Sequence, residues 1–218
     1  MLAPFTDSIL RTTSYYFVEN VRTARRFISS LKLGIVIDNL SFFELTKDTS
    51  PQEVKKMLSQ LSVSVSQICV MSEAGCPGIA DPGSRLVALA HSLNWKVIPI
   101  PGPSSLFLAL MGSGFNGQQF SFHGYLPIKQ DERIKAIKML EEQTVKKGST
   151  QLFIETPYRN LPLLQDLAST LHPETMLCVA SNLTAEDEII YTRKAKEWKN
   201  NIPNIHKIPT IFLIGSIQ

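Results

Sequence analysis

Two periodicities alternate along the first half of the chain. Tyr15-Tyr16-Phe17-Val18 is a short apolar run with the character of a buried strand, Arg22 to Leu31 carries apolar positions at helical spacing, and Ile35 to Phe43 reads as a strand with irregular ends. A helix over Pro51 to Leu61 is announced by Ser50 and Glu53 at capping-box spacing, with Pro51 at the first helical position. Strand Ile68 to Met71, helix Ser84 to Ser92, strand Val97 to Ile100 and helix Ser104 to Met111 continue the alternation. Strands alternating with helices predict a mainly parallel sheet covered by helices on both faces.

Gly112-Ser113-Gly114 and Asn116-Gly117 interrupt this pattern, and Phe120 to Tyr125 restarts it as an alternating aromatic strand. Helix Asp131 to Lys146, strand Gln151 to Ile154, helix Arg159 to Leu171 and strand Met176 to Ala180 follow. Two further strands, Glu188 to Thr192 and Thr210 to Gly215, flank only a short segment containing Trp198, which suits a mixed sheet better than a parallel one. The expected organisation is two α/β domains, residues 1–114 and 115–218.

Two loops stand out within that frame. Ser72-Glu73-Ala74-Gly75-Cys76-Pro77-Gly78-Ile79-Ala80-Asp81-Pro82-Gly83 follows one apolar strand, and Pro101-Gly102-Pro103-Ser104-Ser105 follows another. Glycine lets a backbone approach a ligand, proline removes amide donors and fixes the path, and open α/β sheets bind ligands beyond the carboxyl ends of their strands. Either loop alone reads equally well as an ordinary strand-to-helix turn. Together they predict one shared crevice.

Composition narrows the classes. With 218 residues and 44% hydrophobic content the chain can bury a sizeable core, so disorder is not expected. It has no bilayer-length apolar run and no basic-then-apolar leader, and a soluble cytoplasmic protein is expected. Cys69, Cys76 and Cys178 show no C-x-x-C spacing, and His91, His123, His172 and His206 are dispersed; neither a disulfide framework nor a metal site is expected. A net charge of +3 is too mild to signal nucleic acid by itself. The clusters Arg22-Arg25-Arg26 and Arg193-Lys194-Lys196 with Lys199 read first as solvated faces, and leave an anionic substrate open.

Four motifs in order then carry a family likeness: the Ser72 to Gly83 loop, Pro101 to Ser105, Gly124-Tyr125-Leu126-Pro127, and Phe153-Ile154-Glu155-Thr156-Pro157-Tyr158-Arg159. The chain resembles the tetrapyrrole methylase-like S-adenosylmethionine-dependent methyltransferases over roughly residues 15 to 215, and most closely their branch that methylates a cytidine ribose 2′-hydroxyl of 16S ribosomal RNA. The resemblance implies a two-domain α/β fold, a mainly parallel N-terminal sheet with helices on both faces, a mixed-sheet C-terminal domain, and S-adenosyl-L-methionine held between the domains mostly by backbone groups. Carried over by position, Ser72, Gly75, Cys76, Pro77 and Ile79 would line the first cofactor loop, and Ser104 and Ser105 the second. Glu155, Asn182, Leu183, Pro209 and Thr210 would face the same cofactor from the second domain.

Methyl transfer to oxygen needs an aligned hydroxyl and a group to take its proton. The carboxylate candidates are Glu155, Glu19 and Asp81; Glu19 reads first as a helix partner of Arg22, Asp81 also reads as a turn former before Pro82, and Glu155 equally as a cofactor ligand or turn stabiliser. Arg22, Arg25, Tyr158 and Arg159 are the candidates for substrate contact. Three features depart from the family pattern: residues 1–10 carry no convincing version of its opening strand and Pro/Gly loop, Glu19-Asn20-Val21-Arg22 replaces an acidic pair before Thr-Arg, and Ser181-Asn182-Leu183-Thr184-Ala185 replaces an Arg-Glu-Leu-Thr-Lys segment. The function implied is methylation of ribosomal RNA by a homodimer associated with the small ribosomal subunit. The alternatives are methylation of a small heterocycle such as a tetrapyrrole, and a non-catalytic cofactor-binding homologue.

Overall fold

Tyr15–Val18 forms β1, and its central place in a sheet explains its uninterrupted apolar sequence: Tyr16 and Phe17 are wholly buried and Val18 nearly so. β2 (Ser41–Glu44) and β3 (Cys69–Met71) pair with it in parallel on either side, with Phe17 in register with Phe43 and with Val70. The computed structural model describes residues 5–61 and 64–217. On one face of this sheet α1 (Thr6–Thr12) and α2 (Val21–Ser30) bury Leu10, Ala24 and Ile28 against Tyr16 and Val18. On the other, α3 (Pro51–Leu58) and α4 (Ser84–Ser92) pack Val54 and Leu86 against Phe17. The sheet is therefore parallel and covered by helices on both faces, as expected.

The capping box is realised: Ser50 Oγ accepts the Glu53 amide at 3.2 Å and the Glu53 carboxylate accepts the Ser50 amide at 2.6 Å. Two local expectations are corrected, and one helix appears where no element was expected. The strand expected over Ile35 to Phe43 is shorter, because a 3-10 turn over Ile37–Asn39 precedes β2. The strand expected over Val97 to Ile100 does not form; Pro99, with Pro101 and Pro103 at alternate positions, strips the amides from one lateral edge, and Ile98 is left 63% exposed. Thr6–Thr12 is helical although its N-cap, Phe5, offers no side-chain cap, which is why no start signal is visible. Residues 1–4 of the opening segment lie outside the described residues.

A second sheet follows the order β4 (Phe120–Tyr125), β5 (Thr150–Ile154), β8 (Thr210–Gly215), β6 (Met176–Ser181), β7 (Ile189–Lys194). Only β4 and β5 are parallel; the remaining pairings are antiparallel, so the sheet is mixed as expected. α6 (Gln130–Lys147) and α7 (Asn160–Thr170) cover one face, where Phe153, Phe212 and Trp198 lie fully buried. α5 (Ser105–Ser113) covers the other with Ala109 and Leu110 against Leu152, Cys178 and Leu213. The two compact units are accordingly Met1–Ser104 and Ser105–Gln218. The division precedes the expected boundary after residue 114 because α5 packs on the second sheet.

Candidate functional site

In the second unit the strand directions gather one sheet edge. β5 and β6 end there and the antiparallel β8 begins there, with Ile154 opposite Ile211 and Ser181 opposite Thr210. Glu155, Asn182, Leu183, Pro209 and Thr210, far apart in sequence, thus meet at one edge. The Asn182 amide donates to the Pro209 carbonyl at 3.0 Å, and Thr210 Oγ1 donates to Ser181 Oγ at 3.0 Å. Leu183 turns its side chain onto the α5 face. Asn182 and Thr184 hold left-handed φ values of 52° and 72°, with Asn182 Nδ2 donating to Asp187 and the Thr184 amide to Glu188. A cavity of about 350 Å³ opens beside them, lined by Ser181, Asn182, Asp187, Tyr191, Asn204 and Ile208.

Glu155 is 5% exposed, and its Oε1 accepts from the Thr156 amide and the Arg159 guanidinium, both at 2.6 Å. Arg159 also donates from Nε to Thr156 Oγ1 at 3.1 Å. A 3-10 turn over Pro157–Arg159 makes this pairing possible and leaves Tyr158 68% exposed. Against Tyr158 lie two residues that sequence reasoning missed. The His206 ring stands edge-on to it with centroids 6.4 Å apart, and the Lys207 ammonium sits over it at 5.3 Å. Their only sequence signal is a loop bracketed by Pro203 and Pro209, which says that the backbone is fixed but not what it faces.

The first unit also concentrates its candidates at the carboxyl edge of its strands. Glu19 follows β1 and accepts the Glu73 amide at 3.1 Å; among the described ion pairs it has none with Arg22, so the helix-partner reading is not realised. The loop after β3 is shaped by left-handed backbone at Gly75, Gly78, Ala80 and Gly83. At Gly83 the constraint is also spatial, since a Cβ would lie 3.4 Å from the Gly78 amide nitrogen and from Val70, whereas at Gly75 a Cβ would meet only open space. Cys76 Sγ lies 4.0 Å from the Pro103 carbonyl oxygen, which brings the two Gly/Pro loops together without a strand beneath the second. Pro77 and Ile79 stay at the surface of the first loop, Ile79 being 45% exposed, and Ser72 Oγ donates to the Ala74 carbonyl. Ser104 is buried, and Ser105 is the exposed first residue of α5.

Asp81 is the most perturbed acid here. Burial, reinforced by the nearby charges of Glu19 and Glu73, pushes its carboxyl up to about 6, against a smaller opposing hydrogen bond from Ser72. Beside it Thr46, Lys47, Asp81, Ser84 and Arg85 line a cavity of about 250 Å³. Arg22 lies exposed on the first turn of α2, with no ion pair among the described residues. Arg25 is committed elsewhere, pairing with Asp38 at 2.6 Å and lying over the Phe42 ring.

Two α/β units, each presenting loops beyond its strand ends, make up a fold seen in the crystal structure of the methyltransferase CobJ. The match has a TM-score of 0.63 at 15% identity and covers 98% of this chain and 87% of that one, a likeness of fold. The chain belongs to the family of Tetrapyrrole (Corrin/Porphyrin) Methylases, whose model matches residues 25–199. It is 32% identical over 189 residues to the ribosomal RNA small subunit methyltransferase I of Synechocystis sp., covering 86% of this chain and 63% of that protein. Against the protein of the same name from Vibrio cholerae it is 39% identical over 137 residues, covering 63% of this chain and 44% of the relative. The chain thus spans about half to two thirds of the length of these curated relatives. Among the described residues no helix is long and apolar enough to cross a membrane.

Proposed function

We propose that this protein is an S-adenosylmethionine-dependent methyltransferase acting on a ribose 2′-hydroxyl of ribosomal RNA. The observation that carries this reading is the 32% identity, over 86% of the chain, to a relative named for ribosomal RNA small subunit methylation. The residues fit the donor. A loop held in left-handed conformations presents backbone rather than side chains, and the acidic trio Glu19, Glu73 and Asp81 suits a cationic ligand. When bound, the cofactor supplies a methyl group on a sulfonium, open to in-line attack by a hydroxyl oxygen.

Asp81, Glu155 and Glu19 then take different roles. Asp81, with its proton affinity raised toward neutrality, is the proposed proton acceptor, since a general base works best with a pKa near the operating pH. Glu155 is the proposed anchor that holds Arg159 and the Tyr158 turn, its near oxygen being occupied by two donors. Glu19 orients the Glu73 segment through the amide it accepts. Gly75, Cys76, Pro77, Ile79, Ser104 and Ser105 in the first unit, and Asn182, Leu183, Pro209 and Thr210 in the second, are the proposed cofactor contacts. Action on the small ribosomal subunit implies a cytoplasmic location. A homodimer is proposed as well, on the strength of an apolar cluster in which Phe107 and Met111 are 52% and 79% exposed and Phe107 packs edge-on to Phe120.

Incubation with methyl-labelled cofactor and either small ribosomal subunits or a tetrapyrrole panel tests the reading, followed by location of the label. Label on a ribose is the expected result. Label on a tetrapyrrole would turn the assignment to the small-heterocycle reading, which the family model's own description favours. Asp81→Asn should lower the transfer rate at saturating cofactor by about 10²-fold or more; an unchanged rate would remove Asp81 as the base.

A further inference from the structure

We infer that Tyr158, His206 and Lys207 form a single-stranded RNA contact at the edge of the second sheet, with the Tyr158 ring stacking on a base and Lys207 meeting the adjoining phosphate. Tyr158 is a large aromatic left 68% exposed, and Lys207 makes no ion pair among the described residues. An open ring beside an unneutralised cation is the combination that binds single strands: every base has a face to stack, and every nucleotide a charge to neutralise.

The arrangement is built rather than accidental. The Lys207 amide donates to the Pro157 carbonyl at 3.0 Å, which locks the two segments together. Asn160 Nδ2 donates to the carbonyls of Ile205 and Ile208 at 3.3 and 2.7 Å, so the fully buried Ile205 and the first residue of α7 clamp the loop on either side of His206 and Lys207. Lys207 itself holds a left-handed φ of 62°. Charge also gives the contact a direction. Glu186, Asp187 and Glu188 lie in the β6–β7 loop, and β7 is the outermost strand on that side. The strand therefore leaves the acidic side free and runs past β5 and β8, beside Glu155 and Thr210. This inference rests on the ribosomal RNA reading for the identity of its ligand.

Fluorescence anisotropy with a short labelled single-stranded RNA, and with its duplex, tests it in the whole protein. Tyr158→Ala should weaken single-strand binding about tenfold, while Tyr158→Phe, which keeps the ring, should retain it. Lys207→Gln should reduce the slope of log affinity against log salt by about 0.7, the share of one phosphate on a single strand. Calorimetry with S-adenosylmethionine on the same variants separates the two proposals. Unchanged RNA affinity and salt slope in Tyr158→Ala and Lys207→Gln would overturn the contact even if the wild type methylates RNA, and so would a wild type that binds no RNA. Loss of cofactor binding in the wild type would instead strike the methyltransferase reading alone.

Discussion

The two units follow one layered plan with different depth. In the second, β8 is buried along its whole length and β6 almost so, with a packed cluster on each face of five strands. In the first, only β1 is comparably buried; β3 is half-buried throughout and both ends of β2 are exposed. The same contrast holds for charge. The second unit carries a buried pair, Arg133 and Asp166, at 2.5 Å with side chains 10% and 9% exposed, whereas Arg25 and Asp38 of the first are 40% and 85% exposed. Left-handed backbone shapes the strand-end loops of both units; the thicker core adds buried side-chain partnerships to it, such as Arg159 on the 5% exposed Glu155.

Breaking the buried pair tests this contrast most severely. Asp166 accepts from both Gln130 and Arg133 and so ties α7 to α6; Asp166→Ala should cost about 3–5 kcal/mol by stranding a buried guanidinium. Urea unfolding followed by the fluorescence of Trp198, buried in this unit, in a Trp95→Phe background reads that cost. The double variant Arg133→Met with Asp166→Leu should recover most of it, and failure to recover would mean that the pair contributes more than charge compensation.

A smaller effect is expected at Gly215. A Cβ there would fall into the Phe115 ring and 2.9 Å from its Cβ, so Gly215→Ala should cost about 1–3 kcal/mol in the same assay. Gly112→Ala should cost less, because the opposing atom, 2.5 Å away, is the mobile Cδ1 of Ile190. Equal costs would show that the Phe115 ring yields as readily as the end of the Ile190 side chain. Smaller again is Asp38→Ala, for which about 0–1 kcal/mol is expected in thermal unfolding, as for any exposed pair.

The last expectation is one of direction and belongs to the first unit. Because the Asp81 carboxyl is raised from 3.8 to about 6, the folded unit binds that proton more tightly than the unfolded chain. Its contribution to stability is complete below the ordinary carboxylate pKa and is lost as pH rises through about 6. Asp81→Asn should therefore protect β1 amides from hydrogen exchange more than the wild type does at pH 8, and show less advantage at pH 5. A gap that does not widen with pH would remove the carboxyl from the account.

Periodicity and capping made most of this fold legible. β1, β4 and β8 fall where the apolar pattern puts them, and the Ser50–Glu53 box is formed. Val97 to Ile100 misled because β-branched residues argued for a strand while the prolines around them had already removed its hydrogen bonds. The candidate site was legible as a set of strand-end positions, of which Glu155, Asn182, Pro209 and Thr210 lie at one sheet edge. Partnerships were not. That Glu155 would spend an oxygen on Arg159, that Arg25 would turn to Asp38, or that Lys207 would stand beside an exposed Tyr158 ring depends on turns and on chain crossings between distant segments, which no local pattern encodes.

The position of β8 has a consequence for how the protein is made. Last of the strands in sequence, it lies third of five in space, and β5 and β6 touch each other only through it. A nascent chain that has not yet delivered residues 210–215 from the exit tunnel has two half-sheets with unpaired inner edges, and those edges stay open until it does. The first unit, whose strands come from residues 15–71, faces no such delay. Chains that stop short of residue 210 should accordingly form the first sheet but not the second, making them substrates for chaperones and proteases.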